Sequence, residues 1–106
     1  PHISFGRIDF TQPRQEYVNL TDHKLDRAAE FEVARISEFG EHFNVRLESI
    51  PGDSRSQRLF VEYLGTLPPT SAPGGTMRGQ IYLRKPGEEA ICQVITFVAF
   101  HQPKRP

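Results

Sequence analysis

Asp22, His23 and Asp26 bring together metal-ligating residue types, one imidazole between two carboxylates. Such donors hold a divalent cation when they converge in space. The same residues, with Lys24 among them, also make an ordinary solvated turn, and this second reading is preferred. The four histidines, His2, His23, His42 and His101, show no close spacing with one another. Serine, histidine and aspartate are all present, but the strained Gly-x-Ser-x-Gly elbow that exposes a serine nucleophile is not. Ser54 and Ser56 stand beside Asp53 and Arg55 in a turn-like stretch, where solvent exposure is expected. The run Gly74-Gly75-Thr76-Met77-Arg78-Gly79 lacks the spacing of a phosphate-binding loop. Glu88-Glu89 beside Pro86-Gly87, and the pair Glu30 and Glu32, have the chemistry of general acids and bases. Their settings suit a wet surface better. No enzyme, cofactor or metal is expected from these residues.

Composition narrows the choice further. The chain has 106 residues, with 13 basic and 13 acidic side chains that cancel. The basic residues are scattered, with only Lys104-Arg105 as a terminal pair, so phosphate-backbone binding has no footprint and nucleic acid is not expected as a partner. No stretch approaches the about 20 apolar residues of a membrane span, and no membrane insertion is expected. Cys92 is the only cysteine, which excludes an intrachain disulfide and a cysteine-based zinc site. It lies in an apolar run, where a free cysteine is usually a small buried hydrophobe. The start at Pro1 reads as that of a piece of a larger chain, and 1–106 as a single domain.

The elements that would position these residues are strands. Nine prolines and eight glycines cut the sequence into short pieces. Ile3 and Phe5, then Ile8 and Phe10, alternate with a change of phase at Gly6-Arg7, the mark of a bulge or of a strand that switches sheets. Glu16 to Thr21 places Val18 and Leu20 inward. His42 to Ile50 puts Phe43, Val45 and Leu47 on one face. Pro51-Gly52-Asp53-Ser54 is a turn, and Arg58 to Leu64 follows with Leu59, Val61 and Tyr63 inward. Leu67 to Gly75 is a loop, Met77 to Lys85 a strand with Ile81 and Leu83 inward, and Ile91 to Phe100 the last strand. Asp22 to Phe39 is ambiguous. Leu25, Ala28, Ala29, Val33 and Ile36 line a possible helix around 22–38, while Phe31 and Val33 alternate as a strand. The strand is preferred because its surroundings are β. The expectation is an all-β, antiparallel seven-stranded immunoglobulin-like sandwich, with an α+β fold as the alternative. The paired cysteines and core tryptophan of immunoglobulin domains are missing, so packing alone must hold the sheets.

The order of Ile3-Ser4-Phe5-Gly6-Arg7-Ile8, Tyr17-Val18-Asn19-Leu20-Thr21, Leu59-Phe60-Val61-Glu62-Tyr63, Pro73-Gly74-Gly75 and Gly79-Gln80-Ile81-Tyr82-Leu83 resembles Hydin-like and major sperm protein-like domains. The nearest of these is an uncharacterised bacterial family found in exported or modular proteins. The resemblance covers nearly the whole chain and rests on structural motifs. It implies an immunoglobulin-like module and an extracytoplasmic setting. Asp22 replaces the asparagine expected after the second strand, and the connection from His23 to Ala29 is longer than the pattern.

The last strand is apolar on both faces. Ile95 and Phe97 could fill the core with Val94, Val98 and Phe100 outward, or the reverse. The outer set is either covered by long neighbouring side chains or free to dock a protein partner, a neighbouring domain of the same chain or, weakly, a second copy. The function expected is a non-catalytic interaction or spacer module, with Val94, Val98 and Phe100 as its surface. The alternatives are a carbohydrate- or ligand-binding sandwich that stacks sugars on Tyr63 or Tyr82, and a small α+β enzyme or regulatory domain. Asn19-Leu20-Thr21 matches a glycosylation triplet, but Asn19 lies within a predicted strand and carries no argument.

Overall fold

Gly6 adopts φ 65°, a left-handed conformation that costs an L side chain energy, and this lets the first strand carry its apolar face through a bulge. The pairing register slips between Ser4 and Gly6, so Ile3, Phe5 and Ile8 all reach the interior. Phe10, just past the strand, is fully buried as well. Of the two causes expected for the phase change, the bulge is the one present.

The computed structural model of the protein describes residues 2–21 and 30–102. Among them run seven strands: β1 (His2–Ile8), β2 (Arg14–Thr21), β3 (Glu32–Ile36), β4 (Phe43–Ile50), β5 (Asp53–Tyr63), β6 (Thr76–Arg84) and β7 (Ile91–His101). Two sheets result, one ordered β1-β7-β6-β3 and the other β2-β5-β4. Their inner faces enclose one apolar core, so the protein is an all-β sandwich.

One expectation needs correction, because the sandwich is not wholly antiparallel. β1 and β7 pair in parallel, from His2 opposite Thr96 to Ile8 opposite His101, while every other pair is antiparallel. A parallel pair needs a long crossover between its strands. Here the first and last strands meet, and the chain between them is that crossover.

The strand preferred for the ambiguous stretch is present as Glu32–Ile36, and no α-helix occurs among the described residues. It pairs with β6 through a bulge between Val33 and Arg35. The remainder of the helical alternative, residues 22–29, lies outside the described residues, as does the Asp22, His23 and Asp26 cluster. β5 begins five residues before the predicted Arg58, since the β4–β5 reversal needs only Pro51-Gly52, with Gly52 at φ 80°. Ser56, expected in a solvated turn, is instead a buried strand residue whose hydroxyl meets that of Thr21 at 3.0 Å.

The core centre is aromatic. Phe43 packs its ring 4.8 Å from Phe97, 5.5 Å from Tyr63 and 6.0 Å from Phe5, centroid to centroid. Such tilted pairs add to the area term of burial. They tie β4, β5, β7 and β1 across the two sheets without tryptophan or disulfide.

Candidate functional site

Successive residues of a strand face opposite sides of its sheet. On β7 the inward set is Ile95, Phe97 and Ala99, all fully buried. Val94, Val98 and Phe100 therefore face outward, but they do not form one patch. Thr96 separates Val94 from Val98. Val98 is only 8% exposed, between Ser4 of β1 and Arg78 of β6. Val94 is half-buried opposite Tyr82. Phe100 alone is open, 41% exposed between Arg7 and Thr76. Cover by neighbouring strands thus accounts for much of the strand's outer apolarity. Cys92 departs from its expected burial. β1 begins opposite Thr96, so β7 runs beyond its cover there and the thiol is exposed.

The candidate catalytic groups remain dispersed. Ser54, Glu88 and Glu89 are exposed. Glu32 pairs with Arg84 across β3 and β6, while Glu30 precedes the strand. His42 shares a 2.7 Å hydrogen bond with the Thr66 hydroxyl, and its Nε2 lies 3.5 Å from the Glu41 carboxylate. His101 accepts the Phe10 N–H at Nδ1, 3.2 Å away. Among the described residues no three His, Cys, Asp or Glu side chains converge on a common point.

The tyrosines proposed as sugar platforms are differently placed. Tyr63 is fully buried and cannot stack on a ligand. Its hydroxyl donates to the Phe10 carbonyl and accepts the Leu67 N–H at 3.0 Å, joining the turn after β1 to the loop after β5. Burial pushes this phenol above its ordinary value; the Leu67 N–H opposes the shift and the Asp9 carboxylate adds to it. Tyr82 is half-buried, with the Arg35 guanidinium 4.4 Å from its ring centre and its hydroxyl donated to Gln80.

The outer face of the three-stranded sheet holds what the sequence reading missed. Register places Tyr17 of β2 opposite Phe60 of β5, and Phe60 opposite Arg46 of β4. The Tyr17 and Phe60 rings are 5.8 Å apart. The Arg46 guanidinium sits 4.4 Å from the Phe60 ring centre, and that of Arg58 sits 4.7 Å from the Tyr17 ring centre. Arg58 also donates to Asn19 at 3.1 Å, which fixes its plane. Tyr17 is 55% exposed, more than Leu64, Ile91 or Phe100. A weak signal existed in the sequence: Tyr17 and Phe60 each alternate out of phase with Val18 and Leu20 or Leu59 and Val61. Their meeting depended on register, which no single strand reveals.

This row is rich in the residue types that dominate protein interfaces, and its guanidinia already rest over aromatic rings. Compared with protein-family models and with curated proteins, the sequence matches none.

Proposed function

We propose that the domain is a non-catalytic protein-interaction module with an immunoglobulin-like sandwich, and that it docks a protein partner through the outer face of β2, β5 and β4. Strand order supports the fold reading. The third, sixth and seventh strands share one sheet and the second, fourth and fifth the other, the immunoglobulin partition with the first strand beside the last. This partition agrees with the Hydin-like resemblance.

The observation that carries the functional reading is the exposed Tyr17, its ring tilted against Phe60, with Arg58 over Tyr17 and Arg46 over Phe60. Tyrosine and arginine are enriched among residues that lose most binding energy on truncation. Their rigid arrangement lowers the entropy lost on association. Tyr17→Ala is expected to weaken the partner complex at least about 30-fold, the effect of a hot spot near 2 kcal/mol, while the distant Glu88→Ala leaves it unchanged. Equal affinity of wild type and Tyr17→Ala, both folded, contradicts this assignment. Tyr17-dependent binding of a glycan without any protein partner replaces it with a carbohydrate-binding one.

A further inference from the structure

At the end of the four-stranded sheet, where β7 leaves it, Arg7, Gly74, Gly75, Phe100, His101 and Gln102 line a cleft of about 470 Å³. That volume falls within the usual range for small-ligand sites. None of these residues is acidic. Arg7 is exposed, stands opposite Phe100 in the parallel ladder, and makes no ion pair among the described residues. The nearby Asp9 does not line the cleft, and its carboxylate accepts both the N–H and the hydroxyl of Thr11.

The remaining walls are equally specific. Because His101 accepts at Nδ1, its neutral ring carries the proton on Nε2, a second donor type at this end of the sheet. Gly74 and Gly75 adopt φ 62° and 72°, so this wall turns tightly and is bare backbone. Phe100 supplies an apolar surface, 41% exposed. One guanidinium matches a carboxylate by two parallel hydrogen bonds. A phosphate would call for more cationic donors and would leave the phenyl surface unused.

We propose that this cleft binds a carboxylate carried on an apolar group, with Arg7 taking the carboxylate and Phe100 the apolar body. Two sources share that chemistry: the free C-terminus of a peptide ending in an apolar residue, and a small free acid. The site is separate from the Tyr17 face, and either proposal stands without the other.

The test is an amide-resolved NMR titration of the 106-residue protein. The probes are phenylacetate, phenylacetamide, and a short peptide ending in phenylalanine as free acid and as amide. The acids are expected to shift the amides of Gly74, Gly75, Phe100 and Gln102 saturably, with phenylacetate binding at about 1 mM. The two amide probes are expected to bind at least about tenfold more weakly, and Arg7→Met to weaken the acids by a similar factor. Tyr17→Ala should titrate like wild type. A peptide acid bound at least about tenfold more tightly than phenylacetate identifies a chain terminus as the ligand, and equal affinity a free acid. Amides that bind as well as acids, an Arg7→Met variant of full affinity, or no saturable shift each overturn the proposal.

Discussion

Gly79→Ala is expected to cost about 3 kcal/mol of folding stability, at the upper end of the range for overpacking a core. The position is buried in the middle of β6, directly opposite Phe97 of β7. A β-carbon there would lie 2.5 Å from the Phe97 Cζ, 2.9 Å from its Cε1 and 3.3 Å from the Glu38 carbonyl oxygen. The Phe97 ring has no room to retreat, being fully buried and packed on Phe43 at 4.8 Å. The glycine is therefore present for space, since its backbone is not left-handed. In thermal unfolding the variant should melt about 12 °C or more below wild type. Phe97→Leu removes the colliding atoms, so the double variant should be more stable than the sum of the single losses by at least about 1 kcal/mol. Additive losses would mean that the two residues do not collide.

Tyr63→Phe is expected to cost about 2–3 kcal/mol, because it removes one hydroxyl and leaves both its buried partners short of a bond. Those partners are the Phe10 carbonyl and the Leu67 N–H, which belong to different turns. The ring itself remains, with its contacts to Phe10 and Phe43, so the loss measured is that of the hydrogen bonds. Burial holds the Tyr63 phenol above 10.0 in the folded state. The contribution of this shift to stability is complete below pH 10 and is lost as the pH rises from there through the raised folded value. Wild type should thus lose stability over that alkaline window in urea unfolding. Tyr63→Phe should be flatter across it. Equal slopes in the two proteins would remove the buried phenol from the account.

Most of the fold was legible from alternation. Phe43, Val45 and Leu47, or Ile81 and Leu83, mark a buried face by period alone, and Gly6 marks its own bulge. The parallel union of β1 and β7 was hidden, because pairing partners far apart in sequence leave no local trace. Tyr63 was expected inward, yet it was also offered as a sugar platform, and its full burial excludes the second role. Cys92 misled for the complementary reason: its apolar neighbours belong to a strand that outruns its covering edge. The Tyr17 row was the least legible element. Tyr17, Phe60, Arg46 and Arg58 come from three strands and form a row only once β2, β5 and β4 are in register.

The central claim is that this row is the working surface of the domain. Site-specific photo-crosslinking of the protein within its native cells tests it most directly, with the reactive group at position 17 and a control at position 88. A discrete protein adduct of defined mass from position 17 and none from position 88 is the predicted result. An adduct of twice the protein's mass would identify that partner as a second copy. No adduct at position 17, or the same adducts at both positions, would contradict the account.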